Sequence, residues 1–301
     1  MTEWSLAVDI GGTKMAAGLV DRSGTLAYRA HVPTPPSKLS ETIGVSQDGE
    51  HLWQTLATLV DSVRAQLPDG GRITVCGVGC GGPMSAGGVT VSPLNIFGWR
   101  DFPLRARLSA LLGVPTFVDN DAKALALGEG WMGAAAGLDN FIGMVVSTGV
   151  GGGIVLDGRL LNGQSGNAGH IGHMVVVPDG RPCVCGSHGC LEAEASGTAI
   201  AAITGQPAQF ASDEVKERTG TLVGLAIAAV VNLLDLPLAV VSGSVALGYG
   251  DIFFDAAQRE LNERCGLEFT HGSQVIPGGL GDAGPLVGAA VVGWHGLDRH
   301  E

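Results

Sequence analysis

The chain has 301 residues, a formal net charge of −12 and 49 glycines. This length allows one large domain or two ordinary domains, each with its own core. The acidic balance, with no run of Lys or Arg, argues against a nucleic-acid-binding protein. The glycines do not recur at every third residue, which excludes collagen. They cluster at the ends of apolar runs, where tight turns and close ligand approach require a residue without a Cβ atom.

The first predicted elements are two short strands joined by a glycine turn. An apolar strand from Leu6 to Ile10 runs into the turn Asp9–Lys14, which reads DIGGTK, and a second strand follows from Met15 to Val20. The N-terminus enters this pattern without a basic segment followed by an apolar stretch, so no signal peptide is predicted. We therefore expect a cytoplasmic protein whose six cysteines are reduced unless a metal binds them.

Helices and strands alternate through the rest of the first half. Residues 33–50 are polar and contain prolines, which predicts a surface loop. Apolar residues then recur at helical spacing from Leu52 to Leu67 and stop at Pro68-Asp69-Gly70. The following predicted elements are a strand Ile73–Val78, a helix Leu104–Leu112 ended by Gly113, a strand Pro115–Val118 and a helix Ala122–Trp131. Because the chain then becomes richer in Ala and Gly, a domain boundary is expected near residue 119.

The second half repeats the opening pattern, which predicts two α/β domains built on one plan. Phe141–Leu156 has the pattern of two strands around the Gly-rich segment Ser147–Gly153. A third glycine turn, Ser242–Ser244, follows the predicted strand Leu238–Val241. The longest apolar stretch, Leu222–Val241, is interrupted by polar residues and a proline, so it predicts a buried helix followed by a strand and no membrane span.

Two glycine turns in matching positions favour a phosphate site. Neither contains a Walker sequence, but each would expose several backbone N–H groups beside a Thr hydroxyl, which suits phosphate oxygens. Asp9, beside the first turn, could hold Mg²⁺ directly or through water and so bridge to a nucleotide. For either turn alone, a structural hairpin remains the alternative.

Asn120 and Asp121 stand where a predicted strand ends and a helix begins, a frequent position for sites in α/β folds. Most Asn-Asp pairs at such positions are plain helix caps, so these two residues alone favour a structural role. Phosphoryl transfer to a hydroxyl nevertheless requires a carboxylate that accepts the alcohol proton, and Asp121 is a candidate for it.

The strongest local signal is a possible metal site formed by His173, Cys183, Cys185 and Cys190. Cys183 and Cys185 are too close in sequence for an easy disulfide. Three thiolates and a histidine in a reducing compartment predict a closed, tetrahedral and therefore structural Zn²⁺ site. Free buried thiols are the alternative, and His188 in the same loop is a rival ligand. The cysteines without such spacing, predicted to be ordinary thiols, are Cys76, Cys80 and Cys265.

Taken together, these segments resemble the ROK family of sugar kinases (repressors, open reading frames and kinases). The matching segments occur in one order over nearly the whole chain: Asp9–Lys14, Asn120–Ala122, Ser147–Gly153, Gly172-His173, Cys183–Gly186 and Gly189–Glu192. The resemblance implies an α/β, actin-like and hexokinase-like fold of two ribonuclease H-like duplicated domains with an interdomain cleft. The N-terminal domain would comprise residues 1–119 and a C-terminal helix at about 285–301, and the larger domain, with the zinc loop, residues 120–284.

The resemblance also assigns roles to individual residues. Asp121 would be the catalytic base toward the 6-hydroxyl of a hexose or N-acylhexosamine, with Mg²⁺-bound ATP as the phosphoryl donor. The sugar contacts would be Gly82, Asn95, Asn120, Asp121, His170, His173 and Glu192. The nucleotide contacts would be Asp9, Gly11, Gly12, Thr13, Lys14, Thr148 and Gly149, with Gly243 near the adenine. The resemblance also favours His173 over His188 as the zinc ligand.

One departure from the family pattern concerns the sugar. The usual Glu-x-Gly-His sequence is His170-Ile171-Gly172-His173 here, and the missing glutamate normally bonds the sugar near O1 and O2. The run from Ala168 to His173 looks more like the bacterial N-acetylmannosamine kinases than the glucokinases. N-acetylmannosamine is therefore the expected substrate, and a glucokinase with a neutral substitution is the alternative.

The family also contains sugar-responsive transcriptional repressors, which carry an additional N-terminal winged helix-turn-helix. The first glycine turn begins at residue 9 and the chain is acidic, so a kinase without nucleic-acid or membrane partners is expected. A sugar-binding protein with an inactive site is a third alternative, disfavoured because Asp121 and both glycine turns are present. A homodimer or higher homo-oligomer is expected.

Overall fold

The computed structural model describes residues 2–35 and 49–299. These residues form two compact units. The first comprises Met1–Gly128, Asn162–Ala168 and Asp282–Glu301, and the second comprises Glu129–Leu161 and Gly169–Gly281. The first unit therefore continues past residue 119, and a short later segment returns to it. Most of the surface loop expected at 33–50 lies outside the described residues.

The strands fall into two sheets of five. In chain order they are β1 (Thr2–Ile10), β2 (Lys14–Asp21), β3 (Leu26–Pro33), β4 (Gly71–Cys80), β5 (Thr116–Asn120), β6 (Phe141–Val146), β7 (Val150–Leu156), β8 (Arg159–Leu160), β9 (Leu238–Ser242) and β10 (Gln274–Pro277). The α-helices of the described chain are α1 (Gly49–Arg64), α2 (Leu104–Leu112), α3 (Asp121–Met132), α4 (Leu191–Ala195), α5 (Gly197–Thr204), α6 (Asp213–Leu234), α7 (Ser244–Tyr249), α8 (Asp251–Arg264) and α9 (Gly284–Asp298).

The two sheets have the same topology. The first has the strand order β3-β2-β1-β4-β5, in which β1, β2 and β3 are antiparallel and β4 and β5 run parallel to β1. The second has the order β8-β7-β6-β9-β10, with β6, β7 and β8 antiparallel and β9 and β10 parallel to β6. The internal repeat predicted from the two glycine turns is thus confirmed across the whole of each sheet.

The first unit has its own apolar core, and the last helix of the described chain packs on its sheet. Apolar residues of β1, β2, β4, α1 and α2 form one buried cluster. Helix α9 packs against β4, β1 and β5. The contact is close, because a Cβ atom on Gly77 of β4 would overlap the carbonyl oxygen of Ala289 in α9. The predicted C-terminal helix is therefore part of the first unit.

The second unit is built around α6. Residues Val223, Ile227 and Val231 recur on one face of this helix and are fully buried. The helix is long and apolar enough to cross a membrane by length and composition, but 56% of its most apolar window is buried within the fold. Because a core helix of a soluble protein passes the same test, α6 is weak evidence for a membrane span, and α6 followed by β9 matches the predicted buried helix and strand.

One predicted turn is shorter in the structure than in the sequence analysis. Of the Gly-rich segment Ser147–Gly153, only Ser147–Gly149 forms the turn, while the remaining glycines belong to β7. Packing favours glycine at position 152, because a Cβ atom would lie 3.0 Å from Ile171 Cγ2 and 3.3 Å from the Gly169 carbonyl oxygen. A glycine run therefore marks close backbone approach as well as a turn.

Candidate active site

The turn between β1 and β2 directs its carbonyl groups into the protein. Gly11 N donates to Lys14 O at 3.0 Å, and Thr34 uses its hydroxyl to bind Gly11 O at 2.7 Å and its N–H to bind Thr13 O at 2.9 Å. Within the described ranges, the N–H groups of Gly12 and Thr13 have no protein partner. Since both residues are exposed, these donors can bind an anion.

The turn between β6 and β7 is built in the same way. Ser147 N donates to Gly149 O at 2.9 Å, while Gly197 N holds Ser147 O at 2.7 Å and the Thr198 hydroxyl holds Thr148 O at 2.9 Å. In the part of the chain that the structure describes, the N–H groups of Thr148 and Gly149 have no partner. Equivalent positions in the two sheets thus present two pairs of backbone donors.

Two carboxylates lie close together in the first unit. Asp9 is near the end of β1 and Asp121 begins α3; a Cβ atom on Gly79 would lie 3.7 Å from Asp9 Oδ1 and 3.4 Å from Asp121 Cα. Burial raises the pKa of Asp9 from 3.8 to about 7. The nearby charge of Asp121 also raises this pKa, by a smaller amount, while the charge of Lys14 lowers it. A divalent cation at this position would relieve the repulsion between the carboxylates.

Asn120 and Asp121 also form the start of α3. The Oδ1 atom of Asn120 accepts from Ala122 N at 3.0 Å and Lys123 N at 3.3 Å, and Asp121 Oδ1 accepts from Ala122 N at 2.9 Å. Asn120 therefore caps the helix with its carbonyl oxygen, and its NH₂ group is the part suited to bind a ligand. The cap and a ligand-binding role are compatible in this geometry.

A loop after β4 lies against the first glycine turn. The loop residue Leu94 donates its N–H to Gly82 O at 3.1 Å, and a Cβ atom on Gly12 would lie 2.8 Å from the Cβ of exposed Asn95. Arg100 fixes this loop by donating to the carbonyl oxygens on either side of Asn95, those of residues 93 and 96, at 2.9 and 3.0 Å. No motif in the sequence singled out Arg100.

The zinc ligands predicted in the second unit form one cluster. The ligand atoms of His173, Cys183, Cys185 and Cys190 all lie within 4.8 Å of one another. Sγ of Cys185 is 3.7 Å from Sγ of Cys190, and Sγ of Cys183 is 3.6 Å from Nδ1 of His173.

These distances fit a closed tetrahedral zinc site. A tetrahedral zinc bound about 2.3 Å from each sulfur and about 2.0–2.1 Å from nitrogen separates two sulfurs by about 3.8 Å, and a sulfur from a nitrogen by about 3.6 Å. His188 is outside the cluster and instead forms a β-bridge with Pro182.

The zinc loop is fixed on both sides of the cluster. Gly186 and Gly189 have φ angles of 92° and 66°, which a residue with a side chain rarely adopts, and they reverse the chain between the cysteines. The buried carboxylate of Glu194 accepts from Arg181 N at 2.8 Å and pairs with Arg218 of α6 at 2.6 Å. Burial raises the pKa of Cys190 to about 12, so a metal would have to displace its proton.

Glu192 joins the zinc loop to the second glycine turn. Cys190 is the residue before α4, and Glu192 is in the first turn of that helix. The Oε2 atom of Glu192 accepts a hydrogen bond at 2.9 Å from the N–H of Val150, the residue directly after the glycine turn. The same atom would lie 2.7 Å from a Cβ atom on Gly149. His170 is exposed, and its ring centre lies 6.0 Å from that of His173.

A cavity of about 730 Å³ opens beside the second glycine turn. Gly243, with a φ angle of 101°, caps α7 next to the Val146 carbonyl oxygen. Ser147, Thr148 and Ser244 of the predicted glycine turns line this cavity. The other lining residues come from separate segments in which no motif was recognised: Gly197, Thr198, Ala201, Gly205, Gln206, Pro207, Ala208, Gln209, Val245, Gly248 and Tyr249. The Ser-Gly-Thr sequence at 196–198 was the one local signal that could have revealed them.

The predicted site residues are divided between the two units. The group in the first unit is Asp9, Gly11, Gly12, Thr13, Lys14, Gly82, Asn95, Asn120 and Asp121. The group in the second unit is Thr148, Gly149, His170, His173, Cys183, Cys185, Cys190, Glu192 and Gly243.

Two duplicated five-stranded sheets, each with a glycine turn after its first strand, define the α/β class of actin-like and hexokinase-like folds. The sequence pattern of the ROK family matches residues 5–294. The chain belongs to the ROK family.

Two of the relatives with assigned activities are sugar kinases of different specificity. The chain is 39% identical over 207 residues to a glucokinase of Halalkalibacterium halodurans, and 40% identical over 199 residues to an N-acetylmannosamine kinase of Citrobacter koseri. Each match covers 66% of this chain, and it spans 58% of the first relative and 63% of the second.

A solved structure is similar over nearly the whole chain. The ROK family glucokinase of Streptomyces griseus, crystallised with glucose and AMPPNP, is 29% identical, with a TM-score of 0.82. The similarity covers 97% of this chain and 99% of that protein.

Proposed function

We propose that this protein is an ATP-dependent sugar kinase that phosphorylates the 6-hydroxyl group of a hexose or N-acylhexosamine. The observation that carries this proposal is the matched pair of glycine turns, each with two N–H groups that have no partner among the described residues. The turn of the first unit also has the carboxylates Asp9 and Asp121 of the same unit close by. Phosphoryl transfer needs positioning and electrostatic stabilisation of phosphate oxygens and little covalent chemistry from the protein. Backbone donors and a carboxylate base supply these functions.

In this proposal the nucleotide occupies the cavity of the second unit. Thr148 and Gly149 donate to phosphate oxygens at one end, and Gly243 lies near the adenine at the other. Gly11, Gly12, Thr13 and Lys14 of the first unit are proposed as further donors to phosphate oxygens. The volume of about 730 Å³ suits a nucleotide, and the AMPPNP complex of the Streptomyces griseus relative supports the assignment.

Mg²⁺ fits the chemistry around Asp9. A carboxylate is a preferred ligand of Mg²⁺, which usually keeps several waters and binds substrate phosphates at the same time. When bound, the ion neutralises charge on the phosphate oxygens. Asp9, whose pKa is raised to about 7, ionises more readily beside such a cation.

Asp121 is the proposed general base, and each unit offers further groups that can bind a sugar. Its carboxylate accepts the proton of the 6-hydroxyl, while the Asn120 NH₂ group and the loop with Gly82 and Asn95 orient the ring. His173, with Nδ1 facing the metal cluster, can offer the sugar only its other ring nitrogen. Glu192 completes the sugar contacts with the carboxylate oxygen not bonded to Val150.

A coupled assay of ADP release over a panel of hexoses and N-acetylhexosamines tests the proposed function. We expect turnover with at least one of these sugars, and the product must carry phosphate at O6 by NMR. ATP hydrolysis that no sugar stimulates would disprove the proposed reaction.

N-acetylmannosamine is the proposed substrate, and glucose is the second candidate. A glutamate at position 170 would accept hydrogen bonds from sugar hydroxyls at C1 and C2, whereas neutral histidine carries one donor and one acceptor and no charge. A 2-acetamido group brings a methyl group, beside which a carboxylate is costly to bury, and a carbonyl that the histidine N–H can bind. Glucose is supported by the glucokinase relatives.

The variant His170→Glu tests this preference. We expect kcat/KM of the wild type to be higher for N-acetylmannosamine than for glucose. In the variant, the ratio of the two kcat/KM values should shift toward glucose by on the order of 1–3 kcal/mol, the cost of leaving one buried polar group unpaired. The measurement is kcat/KM for both sugars on both proteins. A wild type that prefers glucose would assign the protein to the glucokinases and leave His170 without a role in selectivity.

A further inference from the structure

Lys123 is a buried cation that the proposed reaction does not use. It lies in the first turn of α3, and its side chain is only 2% exposed. Its Nζ atom is 2.9 Å from Asp119 Oδ1, 2.9 Å from Asn162 Oδ1 and 3.0 Å from Gly166 O. An ammonium group has three N–H donors, so each of them has an acceptor.

The stability of α3 does not explain this lysine. A positive charge in the first turn of a helix opposes the helix dipole, and a buried ammonium group has lost its hydration. Two of its three acceptors belong to segment 162–168, which enters the first unit between two stretches of the second. The lysine is therefore best explained by the segment that it binds.

The Lys123 network reaches the residue before Asp121, the proposed general base. Asp119 Oδ1, which pairs with Lys123, also accepts from Asn120 N at 2.8 Å. Asp119 thereby links the lysine to the backbone immediately before Asp121. The charge of Lys123 thus connects segment 162–168 to the start of α3.

Segment 162–168 has a second attachment within the first unit. The Asn167 side chain accepts from Met84 N at 3.4 Å and donates to Met84 O at 3.2 Å. Met84 is two residues after Gly82, a proposed sugar contact. The segment is therefore fastened beside Gly82 at one point and beside Asp121 at the other.

We propose that Lys123 is a positioning residue that holds segment 162–168 as one wall of the sugar site. The role of the wall rests on the proposed function of that site, whereas the attachment itself does not. Without the ammonium group, Asn162 and Gly166 lose their shared donor, and the segment loosens from α3. Sugar affinity then falls, while nucleotide affinity is retained because the glycine turns take their hydrogen bonds from other residues.

The test compares Lys123→Met, which keeps the length and loses the charge, with Lys216→Met, which removes a lysine from an α6 surface ion pair. Hydrogen–deuterium exchange of residues 162–168 measures the attachment, and calorimetry measures hexose and ADP affinity. For Lys123→Met we expect faster exchange in the segment and a hexose Kd at least about tenfold higher, since small misplacements are costly at such sites. The ADP Kd should stay within about twofold. Lys216→Met should match the wild type.

A second variant covers the case in which Lys123→Met does not fold. Asn162→Ala removes one acceptor at an exposed position, and we expect it to raise the hexose Kd by about two- to tenfold, as for the loss of one hydrogen bond. Unchanged exchange of 162–168 in the folded variants would overturn the attachment. Faster exchange with unchanged hexose affinity would contradict the proposal that segment 162–168 forms a wall of the sugar site. Equal losses of hexose and ADP affinity would contradict it as well. A wild type that phosphorylates no sugar, with the exchange result intact, would instead refute the proposed reaction.

Discussion

At the scale of single residues, the start of α3 combines a helix cap with a proposed catalytic group. Asp121 Oδ1 accepts from Ala122 N, and asparagine keeps an oxygen at that position. Asp121→Asn should therefore preserve the fold and most of the sugar affinity, because it keeps the size of the side chain and removes its charge and its ability to accept a proton. Turnover should fall by about 10² or more.

Steady-state kinetics with calorimetry of sugar binding checks this prediction. The exposed Asp213→Asn serves as a matched control with unchanged turnover. Near-normal turnover of Asp121→Asn would show that another group acts as the base.

Asp9 gives a prediction about pH. In the protein without metal and nucleotide, burial raises the pKa of Asp9 from 3.8 to about 7. The charge of Asp121 adds a smaller upward effect, and the charge of Lys14 acts in the opposite direction. Between these two pKa values, Asp9 keeps its proton in the folded protein and loses it in the unfolded chain. The contribution of protonated Asp9 to the free energy of unfolding is therefore complete below the lower pKa, and it is lost as pH rises through 7. We expect Asp9→Asn to be more stable than the wild type at about pH 8, by a few kcal/mol at most, given about 1.4 kcal/mol per pKa unit.

Thermal unfolding between about pH 5.5 and pH 8 measures this effect. The difference in Tm between wild type and Asp9→Asn should grow with pH, and Mg²⁺ with ADP should reduce it by stabilising only the wild type. A difference that does not change with pH would contradict the raised pKa.

At the scale of elements, α4 connects two sites that the sequence analysis treated separately. The zinc ligand Cys190 comes directly before α4, Glu192 in its first turn binds Val150 N, and Gly197 after its end binds Ser147 O. Loss of zinc should therefore disturb the second glycine turn as well as the sugar residues. This link was not visible in the sequence because it depends on a side chain that reaches a backbone N–H 42 residues away.

Cys185→Ser tests the link. We expect metal affinity to fall by more than the roughly 10–100-fold typical of losing a ligand's hydrogen-bond partner, together with lower stability and weaker binding of both ADP and sugar. Metal analysis should give about one Zn²⁺ per chain for the wild type and for His188→Ala, and much less for His173→Ala. A zinc-free protein with wild-type ADP affinity would contradict the role given to α4.

The glycines and periodic patterns were informative at this scale. Helix α2 begins at Leu104 and ends at Leu112 as predicted, because apolar spacing and Gly113, with a φ angle of 69°, define both ends locally. The cysteine spacing likewise predicted the cluster. The long-range partners of the buried charges Lys123 and Glu129 were not predictable, because only tertiary structure brings Asn162, Gly166 and Gly279 to them. Glu129, fully buried, accepts from Gly279 N at 2.9 Å across 150 residues.

At the scale of the whole molecule, the duplicated plan was predictable from two glycine turns, but the division of the chain was not. The change in composition near residue 119 marks the start of α3, whereas the first unit continues to Gly128. Segment 162–168, which returns to the first unit, contacts it through Lys123 and through Asn167, and no local pattern reports such contacts. Sequence alone therefore predicts the repeated architecture better than it predicts which unit each segment joins.

The packing of α9 against β4 has a consequence for synthesis on the ribosome. Domains usually fold in the order in which they are made. Here the first sheet cannot acquire its last covering helix until residues 284–298 have left the exit tunnel, after the entire second unit has been translated. The nascent chain must therefore carry an apolar sheet surface around Gly77 through most of its elongation, a period in which chaperones that shield such surfaces would have their greatest effect.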